Sequence, residues 1–124
     1  MRSTLQLDLE AARTAQQIVA ETPKPAADLE NMLRRALAVL QEQGVFAIIL
    51  YLHVKESDRG RNIAKCLFEL LVKFVPGGTA KAPEDGRAQL KFLTDQVLTD
   101  LQTTLLVKQL WEQTLIYSRF NCKI

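Results

Sequence analysis

The sequence predicts an all-α, single-domain bundle of five to six helices. Apolar residues recur at the 3.6-residue spacing of a helix in every segment but one. No Asn-Gly or Asp-Gly pair separates two alternating runs, as a β-hairpin would require, since Asp85-Gly86 lies inside a helical pattern. The exception is the apolar run 44–54, whose Val, Ile, Phe and Tyr also suit a strand. A lone strand would leave its backbone unpaired, so we expect this run to be helical.

Length and composition describe a single globular domain, residues 1–124, in which 48% of residues are hydrophobic and 24% are charged. No apolar run reaches the ~18 residues that span a bilayer. Asp8 and Glu10 interrupt the N-terminal segment, which therefore does not match a signal peptide. Cys66 and Cys122 lack the spacing of a zinc or redox motif, so we expect two reduced thiols in a cytoplasmic protein.

The first half of the chain predicts three helices. The first covers residues 3–21, and two prolines follow it. The second begins near residues 25–28 and ends at Gln43, where Gly44 is expected to adopt the left-handed C-cap conformation. The third is the central run 45–54, which is apolar enough that we expect it to be covered on nearly every side.

The second half predicts two or three further helices. Residues 55–60 form a charged turn, a helix follows over 61–75, and Pro-Gly-Gly at 76–78 ends it. Another helix starts near Pro83. The apolar pattern then changes phase, so we expect a break near 94–99, with Thr94 or Thr99 capping the last helix.

Few residues have the pattern of a catalytic or metal site. His53 is the only histidine, which excludes multi-histidine sites, and its place near a helix end suggests a structural role and not a Ser-His-Asp or Cys-His site. Acidic pairs lie at helix starts and turns, where capping explains them. No glycine-rich phosphate loop is present. We expect a protein that is not an enzyme and that needs no cofactor or metal.

The basic residues indicate a surface that could bind nucleic acid. Residues 1–30 carry three bases and five acids, whereas residues 31–124 carry thirteen and nine. A spaced set of cations on rigid helices suits phosphate recognition, although a solvated helix surface has the same pattern. Trp111 and Tyr117 could stack on bases, but their helical spacing beside leucines favours the core. The candidate RNA-binding residues are Arg34, Arg35, Lys55, Arg59, Arg61, Lys65, Lys108 and Arg119.

Three segments resemble a known family. They are Glu-Ala-Ala-Arg-Thr-Ala-Gln-Gln-Ile-Val at 10–19, Leu-Arg-Arg-Ala-Leu-Ala-Val-Leu-Gln-Glu-Gln-Gly-Val-Phe-Ala at 33–47, and Leu-Trp-Glu-Gln-Thr-Leu-Ile-Tyr-Ser-Arg-Phe at 110–120. Together they resemble the small all-helical subunit of type III CRISPR effector complexes, the Cmr/Csm class, nearer the Cmr kind. The middle segment, a basic helix with a closing glycine and an apolar helix, carries most of the resemblance.

The resemblance implies a non-catalytic subunit that stacks in one or more copies beside a guide–target duplex. Its partners would be other subunits of the complex, further copies of itself, and the backbones of guide RNA and target RNA, with no membrane involved. Arg34, Arg35 and Arg119 follow from position in the matching segments, and the other five cations follow from charge and exposure. The alternative is a helical adaptor or dimerisation module that binds protein through an apolar groove and no nucleic acid.

Overall fold

The computed structural model describes residues 4–22, 26–74 and 81–124, and within these ranges every regular element is helical. The all-α prediction is therefore confirmed. A short π-helical segment, Leu93–Val97, lies between the last two α-helices. The α-helices are α1 Thr4–Glu21, α2 Ala26–Gln43, α3 Val45–Lys55, α4 Ser57–Leu71, α5 Gly86–Phe92 and α6 Leu101–Asn121.

Five of the helices form a closed ring. α1 packs on α6 and α4, α2 packs on α6 and α3, and α3 packs on α4. α5 and the π-helical segment attach to this ring through α3 and α6. The side chains that face into the ring form one apolar core, to which every α-helix of the ring contributes.

The central run forms α3, as predicted. Ile48, Ile49 and Leu52 are buried, whereas Leu50 and Val54 are exposed. The expectation that this run is covered on nearly every side therefore fails at these two residues. α3 contacts α2, α4, α5 and α6, and this part of its surface is left to solvent.

Gly44 alone separates α2 from α3. Its φ of 98° has the predicted positive sign, but its ψ of −174° is extended and not left-handed helical. Residues with a side chain rarely adopt this region of the backbone map. The Gly44 amide donates to the carbonyl of Leu40 at 3.0 Å, and its own carbonyl accepts from Ile48 at 3.2 Å. Gly44 therefore ends one helix and starts the next without an intervening loop.

α4 begins at Ser57, so the predicted turn over 55–60 and helix start at residue 61 were wrong. Gly60 is buried inside the first turns of α4. A Cβ atom at this position would lie 2.0 Å from the backbone oxygen of Leu52 in α3. Glycine is therefore present because the two helices approach closely, not because the chain turns there. α4 ends at Leu71, before the predicted position, and the Pro-Gly-Gly segment at 76–78 lies outside the described residues.

The predicted break in the last third of the chain is confirmed, but the residue that caps the last helix is not one of the predicted residues. Asp85 caps α5 by accepting from the amide of Ala88 at 3.2 Å. The cap of α6 is Asp100, whose carboxylate accepts from the amide of Thr103 at 2.8 Å and from its hydroxyl at 2.6 Å. Thr94 and Thr99 were therefore the wrong candidates. Asp100 has the extended backbone, with φ −133° and ψ 122°, that lets a cap carboxylate reach the first turn.

The ring is filled around Trp111, which is buried, in agreement with its predicted place in the core. Its indole N–H donates to the backbone oxygen of Leu67 in α4 at 3.1 Å. Its ring meets Phe68 edge-on with centroids 5.4 Å apart. Cys66, also buried, lies beside these residues in sequence, and burial raises the pKa of its thiol to about 12.

Candidate nucleic-acid interface

Arg34 and Arg119, two of the predicted cations, converge on one carboxylate, Glu30. Glu30 and Arg34 lie one turn apart on α2, and Arg119 lies near the end of α6. Arg34 Nη2 is 3.3 Å from Glu30 Oε1, and Arg119 Nε is 3.1 Å from Glu30 Oε2. Arg34 also donates to Asn31 Oδ1 at 2.9 Å. We call Glu30, Asn31, Arg34 and Arg119 the Glu30 cluster.

The Glu30 cluster has a net charge of +1. The hydrogen bond from Arg119 lowers the pKa of the Glu30 carboxyl, and contacts with Arg34 add to this effect against an opposing contribution from burial. Glu30 is therefore ionised at neutral pH, and two guanidinium groups outweigh it. The side chains of Arg34 and Arg119 are 58% and 32% exposed, so both reach solvent at the α2–α6 surface.

The hydrogen bonds within the cluster leave guanidinium donors available. Arg119 uses Nε toward Glu30, and its two terminal nitrogens have no hydrogen-bond partner among the described residues. Arg34 uses one terminal nitrogen for both Glu30 and Asn31. A guanidinium presents paired N–H groups whose spacing matches two oxygens of a phosphate. The cluster can therefore hold a phosphate group without first losing its internal contacts.

Arg35 lies next to Arg34 in sequence but takes part in a different contact. Its Nε donates to the Tyr51 hydroxyl at 3.0 Å, and its Nη2 lies 3.1 Å from Glu56 Oε2. Tyr51 in turn donates to the same Glu56 oxygen at 2.5 Å. Burial, followed by the bond to Glu56, raises the pKa of Tyr51, so its hydroxyl remains a donor at neutral pH. These bonds tie α2 to α3 and to the junction between α3 and α4.

The structure distributes the other five candidate cations over two helices and one helix junction. Lys55, Arg59 and Arg61 lie at the α3–α4 junction, close to Glu56, and Arg61 forms an ion pair with Asp58. Lys65 is on α4, and Lys108 is on α6. Of the eight candidates, only Arg34 and Arg119 are joined through a shared partner among the described residues.

Sequence reasoning overlooked Glu30, the residue that organises this site. Glu30 and Arg34 have the i,i+4 spacing of a helical ion pair, a signal that could have identified half of the cluster. It also omitted Lys73 and Lys81, which line a surface cavity of about 440 Å³ together with Lys65. Lys73 is held there by Glu10 of α1 at 3.0 Å.

The single histidine has a structural contact. His53 Nε2 lies 2.7 Å from Gln89 Oε1. The Gln89 amide nitrogen donates to the carbonyl of Pro83 at 3.1 Å, which leaves its oxygen to accept from His53. Gln89 is buried, so this pair fixes α5 against α3.

Within residues 4–22, 26–74 and 81–124, no three or more His, Cys, Asp and Glu side chains lie together in a group that could hold a metal ion. None of the helices in these ranges combines the length and apolar character needed to cross a membrane.

The chain matches no protein-family model, no curated protein and no solved structure. A functional assignment rests on the residues and geometry of the chain itself.

Proposed function

We propose that the chain is the non-catalytic small subunit of a type III CRISPR RNA-guided effector complex and that the Glu30 cluster binds the RNA backbone. The observation that carries the proposal is the convergence of Arg34 and Arg119 on one exposed surface. Each arginine comes from a different segment with the family resemblance, 33–47 and 110–120, and α2 and α6 pack directly on each other.

The cluster suits a phosphate better than a base edge. Arginine forks bind phosphate oxygens through two parallel N–H donors, and such contacts position a nucleic acid without reading its sequence. Glu30 holds both guanidinium groups at the surface, which reduces the side-chain entropy lost on binding. Its negative charge also repels that of the phosphate, so the site is balanced for modest affinity. A subunit that supports a duplex along its length needs contacts of this kind.

The proposal implies a cytoplasmic protein whose partners are the other subunits of the complex, together with the backbones of guide RNA and target RNA. In this proposal Arg35 has a structural role, because its guanidinium links α2 to Tyr51 and Glu56. Lys55, Arg59 and Arg61 form a second, separate group of cations from which a longer RNA could gain further phosphate contacts.

The direct test is the affinity of labelled single-stranded and duplex RNA at low salt, measured by fluorescence anisotropy. We expect Arg119→Gln to weaken binding by about tenfold, and to reduce the slope of log affinity against log salt by about one, because one phosphate contact is lost. Arg13→Gln is the matched control, since Arg13 is an exposed arginine paired with Glu10 on α1 and is not among the candidate RNA-binding residues. Equal effects of the two substitutions would contradict the role of the Glu30 cluster.

A second variant tests the electrostatic effect of Glu30. Glu30→Gln removes the negative charge but keeps a side chain of the same length, so the side chain no longer repels a phosphate held by the two arginines. We expect it to raise RNA affinity several-fold at low salt, with a smaller gain at high salt because the interaction is screened. If the isolated chain binds no RNA and purified assemblies contain no guide RNA, the proposal fails and the protein–protein adaptor is the better interpretation.

A further inference from the structure

A pocket of about 160 Å³ lies between the start of α1 and the middle of α6. Its described lining residues come from these two helices and are Leu7, Asp8, Leu106, Gln109, Leu110 and Gln113. The four residues of α6 have the i, i+3, i+4, i+7 spacing of one helix face, so they form a continuous wall. The pocket is separate from the Glu30 cluster, which lies where α6 meets α2.

The pocket has an apolar interior and a polar rim. Leu110 is buried, and Leu7 and Leu106 are half-buried, whereas Asp8 and Gln109 are exposed. The volume is close to that of an engineered core cavity of about 150 Å³ in another protein, which takes up benzene. The three leucines can therefore contact an apolar body the size of about one six-membered ring.

Asp8 is the only formally charged residue among the described lining residues. Its Oδ1 accepts a hydrogen bond from the Tyr117 hydroxyl of α6. That bond raises the pKa of Tyr117, so the hydroxyl remains a donor at neutral pH. Oδ2 of Asp8 has no hydrogen-bond or ion-pair partner among the described residues. One carboxylate oxygen is therefore held by Tyr117, and the other is available to a ligand.

The rim offers hydrogen-bond acceptors that match an ammonium group. A hydrogen bond from the Gln113 amide acts against the rise in the Tyr117 pKa, so Gln113 donates to Tyr117 and its own oxygen is left to accept. Gln109 supplies a second amide oxygen on the same wall. Together with Oδ2 of Asp8 these make three acceptors, and a primary ammonium group has three N–H donors.

The charge of Asp8 selects against other classes of ligand. An anion would be repelled by the carboxylate, and a neutral ligand would gain no attraction from it. A quaternary ammonium group carries the right charge but has no N–H to donate to the three oxygens. Charge and hydrogen bonding together therefore favour a primary amine.

We propose that this pocket binds a small primary amine, with its ammonium group on Asp8 and its apolar body against the three leucines. The occupant is a free molecule with a ring-sized body, because the pocket volume is that of a ring. A lysine side chain of another protein has the same ammonium group but only a flexible four-carbon stem to fill the space.

The test is a titration of the ¹⁵N-labelled chain with benzylammonium, followed by two-dimensional NMR. We expect saturable shifts at residues 7, 8 and 106–113 and at the side-chain amides of Gln109 and Gln113. The expected Kd is on the order of 1 mM, since the ligand has about eight non-hydrogen atoms. Benzyl alcohol, benzyltrimethylammonium, benzoate and Nα-acetyl-lysine methylamide are each expected to bind at least about fivefold more weakly.

Two variants test the charge and the cavity separately. Asp8→Asn keeps an oxygen for the Tyr117 hydroxyl but loses the charge, so it should weaken benzylammonium at least about fivefold and leave benzyl alcohol unchanged. The control Asp28→Asn changes an exposed aspartate at the start of α2 and should have no effect. Leu106→Phe adds volume to the pocket wall and should weaken both probes.

Several outcomes would overturn the proposal. They are the absence of a saturable shift, shifts that map outside the pocket, equal affinity for benzyl alcohol or benzyltrimethylammonium, and equal losses with Asp8→Asn and Asp28→Asn. Tighter binding of the lysine derivative would replace the free amine with a protein side chain as the occupant. No arm of the experiment contains RNA, so failure of this proposal is distinct from failure of the RNA-binding one.

Discussion

Three carboxylates determine what the neighbouring polar groups do. Glu30 holds two arginines at the α2–α6 surface, Glu56 accepts from Arg35 and Tyr51, and Asp100 caps α6. Each carboxylate acts only on its direct hydrogen-bond partners, so its effect is local. The identities of the cations could be predicted from sequence. Their partners could not, except for the Glu30–Arg34 pair, because the other contacts exist only after the helices have packed.

The Asp100 cap predicts a measurable dependence on acid. The bonds from Thr103 lower the pKa of Asp100 below its ordinary value of 3.8. The unfolded chain therefore binds this proton more readily, so the stabilisation is complete above the unfolded pKa and is lost as pH falls through the lower folded pKa. Asparagine also caps helices, so Asp100→Asn should keep most of the thermal stability near neutral pH and show a shallower loss of Tm below about pH 4.

The matched control for this prediction is Asp95→Asn. Asp95 is an exposed carboxylate in the π-helical segment that pairs with Lys91 at 3.2 Å, and it caps no helix. Both variants lose one negative charge from the same region, but only Asp100→Asn changes a helix cap. Identical Tm profiles for the two variants across the acid range would show that the cap contributes nothing to the pH dependence.

At the scale of the helices, Gly60 shows why boundaries are harder to predict than the helices themselves. Apolar periodicity identified α1 and α2, because burial on one face leaves a repeat in the sequence. The central run was assigned to a helix because a lone strand would leave its backbone unpaired. The start of α4 was missed because glycine among charged residues is also typical of a turn. In the folded chain Gly60 lies inside α4, where the backbone of α3 packs closely against it. Close approach between helices leaves no periodic signal.

The contact predicts that Gly60→Ala destabilises the protein, although alanine is the better helix former. The added methyl group would lie 2.0 Å from the Leu52 oxygen and 2.7 Å from Glu56 Cβ, so α3 and α4 must separate. We expect a loss of about 1–3 kcal/mol in the free energy of unfolding, the usual cost of overpacking, measured by urea denaturation.

Gly86→Ala is the control for this substitution. A methyl group there would lie 3.3 Å from two atoms of the His53 ring, a contact that a small movement relieves. Its effect should therefore be clearly smaller. A stabilising effect of Gly60→Ala, as helix propensity alone would give, would contradict the close packing of α3 on α4.

At the scale of the whole molecule, the ring of helices determines which residues meet. Arg34 and Arg119 are remote in sequence and come together because α2 and α6 are neighbours in the ring. The same packing sends Arg35 toward α3. The predicted set of cations therefore included the residues of the candidate site but could not divide them between surfaces. Helix neighbours are set by the sum of all core contacts, and no short segment of sequence encodes that sum.

A ring with one shared core predicts cooperative unfolding. Trp111, the only tryptophan, lies in that core and bonds to α4, so its fluorescence reports the packing of α6 on α4. We expect its urea transition to coincide with the loss of helical circular dichroism, as in a two-state domain. Leu115→Ala, at a buried position of α6, should shift both transitions equally, with a loss of about 2–5 kcal/mol. Separate midpoints for the two signals would show that the ring does not unfold as one unit.

Chemical modification of the buried Cys66 thiol can report how often the ring of helices opens. Alkylating reagents react with thiolates, and in the closed molecule this sulfur is both shielded from solvent and protonated, since its pKa is about 12. Cys66 therefore becomes reactive when α4 moves away from its neighbours. Cys122, the C-cap of α6, is half-buried and is therefore less shielded than Cys66 in the folded chain. The ratio of modification at the two cysteines measures how often the intact protein opens under native conditions, without any denaturant.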